Sequence, residues 1–126
     1  METQMSNEIP KLTKNVLSQI LAGFLPTQIG EIRLQVLKVK KLPCDEGEKL
    51  QLLLSDGVCA TPYAVYYDKN DSNSFLLSEF CIVSLLSYEV KTVTGRKTIY
   101  SYDDGLEFLE CFDRKIGKPK MIDVTG

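Results

Sequence analysis

The chain contains no histidine and no tryptophan. Without histidine it lacks the commonest general base and the usual partner of a serine or cysteine nucleophile, so hydrolytic chemistry of the triad type is excluded. Its four cysteines, Cys44, Cys59, Cys81 and Cys111, lie far apart with no C-x-x-C spacing, which argues against zinc. No apolar run approaches the roughly 18 residues that suggest a membrane span. The opening METQMSNEIPK lacks the basic-then-apolar order of a signal peptide. These absences lead to the expectation of a soluble intracellular protein, with no membrane and no cofactor, whose cysteines stay reduced and pack as small buried hydrophobes.

What is present suits one compact domain: 126 residues, 44% hydrophobic and 25% charged, enough to build a core without metals or disulfides. The first eight residues are polar. From Leu12 the apolar positions Val16, Leu17, Ile20, Leu21 and Phe24 recur at helical spacing, with Gly23 and Pro26 as stop signals. After Gly30 the period changes to two. "EIRLQVLKVKKL" places Ile32, Leu34 and Val36 on one face and then shifts phase by one residue, the mark of a bulge. "KLQLLL" points Leu50, Leu52 and Leu54 inward and Lys49 and Gln51 outward, and Ser55-Asp56-Gly57 turns the chain into "VCATPYAVYY".

A polar break at 68–74 leads to "FLLSEF", readable as one helical turn. "CIVSLLSYEVKTV" then predicts a fourth strand, Thr94-Gly95 a tight turn, and "RKTIYSY" a fifth. "GLEFLECF" is readable either as a continuation of that strand or as a short helix, and Ile116 and Met121 are candidates to pin an extended tail. The pattern predicts an all-β fold, a five-stranded OB-fold barrel with an N-terminal α-helix capping the barrel, and an SH3-like barrel as its nearest competitor. The expected organisation is a flexible segment over 1–9, the domain over 10–123, and the start of a linker at 124–126.

Several stretches together resemble a known family. "LQVLKVKKL", "LQLLLSDGV", the strand pair around "TGRK" and "KIGKPKMID", in that order and spacing, are similar to the N-terminal domain of the replication protein A large subunit. The resemblance covers about Leu12 to Asp123. It implies a nuclear, non-catalytic docking module of a single-stranded-DNA-binding replication and repair complex. Its basic groove would take up acidic amphipathic segments of replication and DNA-damage-response proteins. It also implies weak single-stranded DNA binding, and association with the other subunits of a heterotrimer through regions outside this chain.

On this chain the resemblance assigns groove-wall cations to Lys40, Lys49 and Arg96; Lys38 shares the outward phase of Lys40, Lys91 that of Val93, and Lys97 adjoins Arg96, so these three add to the field. Val93, Tyr63, Val65 and Tyr100 would form the apolar floor. Gln51 stands where the family pattern has an arginine, and Thr94 where a lysine is expected, so the groove should be less positive than is typical. Each residue also has an ordinary structural reading: outward lysines solvate strands or protect edges, and strand tyrosines pack across the sheet.

Two other functional classes bear on the same residues. A single-stranded nucleic-acid binder would use Tyr63, Tyr66, Tyr67 and Tyr100 as stacking surfaces, although a net charge of -2 works against phosphate neutralisation. An enzyme would have to rely on Asp103 and Asp104, yet neighbouring strand residues face opposite ways. Asp103, Asp104, Glu107, Glu110 and Asp113 follow the last strand, which leaves room for a basic face on an acidic domain.

Overall fold

The protein is described by a computed structural model over residues 9–23, 31–70 and 74–122. The expected roles of Phe24, Pro26 and Gly30, and of the termini at 1–8 and 123–126, lie outside these residues. Within them the chain is all-β with one short helix. Helix α1 (Val16–Leu21) precedes β1 (Arg33–Leu42), β2 (Glu48–Ser55), β3 (Cys59–Asp68), β4 (Ile82–Leu85), β5 (Glu89–Val93), β6 (Arg96–Tyr102), β7 (Leu106–Glu110) and β8 (Lys120–Met121). The strands form a single sheet in the order β5-β6-β3-β2-β1-β4-β7, with β8 paired to β3.

The alternation read in "KLQLLL" is the inner face of β2: Leu50, Leu52 and Leu54 are buried against Leu34, Val36, Ala64, Tyr66, Val83, Ile99 and Leu106. The phase shift in the first strand is a register shift, with Val36 opposite Leu54 and Lys38 opposite Leu53. One extra residue, Leu37, bends β1 there so that its first part pairs with β4 and its length with β2. Helix α1 adds Val16, Leu17, Ile20 and Leu21 to the same core and contacts β3 and β6. The helix is only six residues long because Asn15 sits in the left-handed region at φ 65°, and it ends at Ala22, before Gly23 at φ 90°.

The sequence pattern predicts five strands; the described residues contain eight. The predicted fourth strand is two strands, β4 and β5, because Gly105 intrudes between them. Its carbonyl accepts the N–H groups of Leu86 and Ser87 at 2.7 and 3.2 Å, which takes 86–88 out of any ladder. A Cβ at Gly105 would lie 2.6 Å from Ser87 Oγ, so only glycine permits that approach. "GLEFLECF" resolves into a 3-10 turn at Asp103–Gly105 and the separate strand β7, antiparallel to β4. A second 3-10 turn, Ser74–Leu76, stands at the start of "FLLSEF".

Two packing expectations are corrected. Met121 is exposed and does not pin the tail; Ile122 packs on the core instead. The tail runs parallel to β3, with Lys120 N–H on Val58 O and Ile122 N–H on Ala60 O, so every second residue faces in. Ile116 is half-buried, and its N–H donates to Gln35 Oε1 at 2.8 Å. Of the cysteines only Cys81 is buried, while Cys44 and Cys111 are exposed and Cys59 lies between. Cys44 falls in the loop after β1 and Cys111 just past the edge strand β7, places a core cannot cover.

Candidate functional site

Cross-strand register decides which side chains share the outer face. Val65 of β3 lies opposite Gln51 of β2 and Tyr100 of β6, and Tyr67 lies opposite Lys49 and Tyr102. Lys40 is opposite Gln51, while Glu89, Lys91 and Val93 of β5 pair with Tyr100, Thr98 and Arg96. Directly opposed residues project to the same side. The outer face of β1-β2-β3-β6-β5 therefore collects Lys38, Lys40, Lys49, Gln51, Tyr63, Val65, Tyr100, Arg96, Lys91 and Val93. Lys97 does not join them: it pairs with Thr92 on the opposite side of the β5–β6 hairpin, one residue out of phase with Arg96.

The cations are held in different ways. The Arg96 guanidinium stands over the Tyr63 ring, 5.2 Å from its centroid. Lys91 Nζ lies 5.1 Å from the Tyr100 centroid and 3.5 Å from Glu89 Oε2, and the Glu89 charge pushes the Lys91 pKa up. Among the described residues Lys38, Lys40 and Lys49 form no ion pair. Gln51 is not free, because its side-chain amide donates to Pro62 O at 3.1 Å.

Between Lys49 and the β6 tyrosines is a pocket of about 250 Å³, lined by Pro43, Cys44, Lys49, Val65, Tyr67, Tyr100 and Tyr102. Tyr100 and Tyr102 stack with centroids 6.4 Å apart and ring planes 19° from parallel. The Tyr67 hydroxyl donates to Glu46 O at 3.0 Å, and its pKa is raised first by a hydrogen bond with the Cys44 side chain and next by desolvation. The Tyr102 hydroxyl donates to Glu89 Oε2 at 2.9 Å, and partial burial followed by that bond raises its pKa. With both hydroxyls engaged, the pocket offers ring faces and one ammonium group. That combination suits an apolar or aromatic group attached to an acid.

Sequence reasoning missed Tyr102 and the loop residues Pro43 and Cys44. Tyr102 was within reach of the period-two pattern that places Tyr100 outward, whereas no local pattern reports that the loop folds back over Tyr67. Tyr66 is a correction. The nucleic-acid reading places it on a stacking surface, yet it is fully buried and its hydroxyl donates to Asp103 O at 2.6 Å, because it shares the inward phase of Ala64. Asp103 is engaged in structure as well, its carboxylate accepting the Lys69 N–H at 2.8 Å. Among the described residues no group of three His, Cys, Asp or Glu side chains converges as metal ligands would, and no helix is long and apolar enough to cross a membrane. No protein-family model and no curated protein matches the chain.

Proposed function

We propose that this domain is a non-catalytic docking module of OB type that binds acidic, amphipathic protein segments on the outer face of β1, β2, β3, β5 and β6. The observation that carries this reading is Lys49 at the rim of the aromatic pocket, with Lys40 and Arg96 on the same outer face, Lys40 and Lys49 forming no ion pair among the described residues. Cations with reach around a shallow apolar floor are what a helix with acidic flanks and i, i+3, i+4 anchors requires. The OB topology is supported by the strand pairings: β4 pairs with β1 and β5 with β6, and only 86–88 separate β4 from β5. Taken as one bent strand, they would link the β5 end of the sheet to its β1–β4–β7 side through the chain itself. The parallel β3–β6 pairing is the further contact such a barrel needs.

The sequence resemblance extends this reading to a module of a nuclear single-stranded-DNA-binding replication and repair complex. Its partners there are acidic segments of replication and damage-response proteins. The test is anisotropy titration with a labelled acidic amphipathic peptide carrying one aromatic residue. Lys49→Glu should weaken the peptide more than tenfold, while Lys115→Glu, exposed in the tail, leaves it within about twofold; a reversal pair adds repulsion to the lost attraction. Equal weakening by both variants would mean a diffuse charge effect and no site.

The stacked Tyr100–Tyr102 pair beside Tyr67 favours a second reading, single-stranded nucleic acid. Few phosphates can be neutralised by so few free cations, so oligonucleotides should bind weakly and lose affinity steeply with salt. Nanomolar binding of a labelled single strand at physiological salt would replace the first reading by this one.

A further inference from the structure

The β4–β7 ladder carries a second chemistry, unrelated to the outer face. Ile82 pairs with Glu110 in antiparallel register. The register shifts by one between Val83 and Ile82, and the pairing beyond that shift, carried one residue past the ends of both strands, brings Cys81 and Cys111 alongside each other. Opposed antiparallel positions have Cα atoms about 4.5–5.5 Å apart, inside the roughly 4.4–6.8 Å span a disulfide accepts. No other cysteine has such a partner: Cys59 falls beside Ala60, which pairs with Ser55 and Met121, and Cys44 lies in a loop. Both thiols are free. The two differ in access, Cys111 being exposed and Cys81 fully buried.

We propose that Cys81 and Cys111 are a site of reversible oxidative modification, closing a cross-strand disulfide when the protein meets a peroxide. Cys111, open to solvent, reacts first. Its sulfur attacks one peroxide oxygen, the O–O bond breaks, and the second oxygen leaves as water with the thiol proton, giving a sulfenic acid. The Cys81 sulfur then attacks the Cys111 sulfur, the S–O bond breaks, and a second water carries off the remaining proton. Two thiols lose two electrons and the peroxide gains them. Burial raises the Cys81 thiol pKa, as does the nearby Cys111, which keeps Cys81 protonated and leaves the first encounter with peroxide to the exposed Cys111.

The bond would staple the start of β4 to the segment that Gln35 already holds. Gln35 is fully buried, and its amide donates to Phe80 O at 3.1 Å and Arg114 O at 2.8 Å while its oxygen accepts the Ile116 N–H. Phe80 and Arg114 lie just outside the two cysteines, so oxidation would add a covalent tie to a hydrogen-bonded clamp.

The experiment treats folded Cys44→Ser protein, which lacks the exposed loop thiol, with hydrogen peroxide. It then counts free thiols and maps the peptides by mass spectrometry. The expected result is a monomer that has lost two thiols, with Cys81 and Cys111 in one linked peptide that separates on reduction. Adding Cys111→Ser should abolish the link and leave Cys81 unreacted. The proposal is overturned if Cys111 runs on to sulfinic acid with Cys81 still free, if the link joins another pair, or if it forms only in urea.

Discussion

Arg96 and Tyr63 meet across two strands, the guanidinium 5.2 Å from the ring centroid. They are not direct partners: the parallel register sets Val65 beside Tyr100, so Arg96 reaches Tyr63 on a diagonal. The contact holds an exposed cation in place before any partner arrives, which lowers the ordering cost of binding. Arg96→Ala should weaken an acidic amphipathic peptide by up to about fivefold, the scale of roughly 1 kcal/mol for an exposed pair. Arg96→Glu should weaken it by more than tenfold, because an acid placed among lysines repels. Tyr63→Phe keeps the ring face and should behave as wild type in the same titration. Thermal melts of all three should stay close to wild type, because Arg96 is exposed and Tyr63→Phe keeps the ring that packs against the core; equal affinities for Arg96→Ala and Arg96→Glu would remove Arg96 from the site.

The hairpin that presents Arg96 uses two left-handed residues, Thr94 at φ 48° and Gly95 at φ 80°, between the paired Val93 and Arg96. Such a two-residue turn favours Asn-Gly, and a β-branched residue at its first position is strained. Thr94→Asn should therefore raise stability by about 0.5–1 kcal/mol, and Gly95→Ala should lower it although nothing lies within 4 Å of the added Cβ. Urea denaturation decides it: a loss on Thr94→Asn would show that the Thr94 hydroxyl bond to Val93 O at 2.7 Å outweighs the strain.

Much of this arrangement could be read from local pattern. Leucines at 50, 52 and 54 alternate with Lys49 and Gln51, so one face of β2 and the outward course of Lys49 are fixed by period two alone. The phase change after Val36 is visible for the same reason, and Thr-Gly marks its turn. What local pattern could not supply depends on distant contacts. The break between β4 and β5 comes from the Gly105 carbonyl, nearly twenty residues away in sequence. In "YAVYY" both phases carry large residues, so Tyr66 and Tyr67 look alike until packing sends one into the core and leaves the other against Cys44. The helix stripe continues through Asn15, and only the backbone there shows that the helix begins later.

Alkaline conditions should destabilise the fold. Burial raises the pKa of Tyr88 and of the Cys81 thiol, and burial with the Glu89 hydrogen bond raises Tyr102. In the unfolded chain the tyrosines lose their protons near the ordinary value of about 10, before the folded ones do. The folded state then binds more protons than the unfolded, so stability falls as pH rises through that window and is fully present below it. Lys91, raised by Glu89, acts in the same sense. Melting temperature should be flat from these groups up to about pH 8, with the tyrosine-linked fall beginning above about 9. Tyr88→Phe should shallow the fall, and an unchanged slope would assign it to the other groups.

Asp56 joins α1 to the β2–β3 turn. It is fully buried, its Oδ2 accepting the Leu17 N–H at 3.0 Å and its Oδ1 the N–H groups of Val58 and Cys59 at 2.9 and 2.7 Å. The helix gains no side-chain cap from Asn15, so a residue far along the chain satisfies one of the donors its first turn leaves open. Asparagine at 56 has one accepting oxygen in place of two. Whichever way its amide turns, at least one backbone N–H faces another donor, and each hydrogen bond to a charged group is worth about 1.5–3 kcal/mol. Asp56→Asn should therefore lose about 2 kcal/mol in urea denaturation and Asp56→Ala more, since all three donors then lose their acceptor and that of Leu17 is left in a buried place. Amide hydrogen exchange separates the two ends of the contact. Leu17 should lose protection in both variants, while Val58 and Cys59 keep it in Asp56→Asn if the amide oxygen stays toward the turn. A loss below about 0.5 kcal/mol, the scale of an exposed substitution, with Leu17 still protected, would mean that hydrophobic packing of Val16, Leu17, Ile20 and Leu21 alone seats the helix.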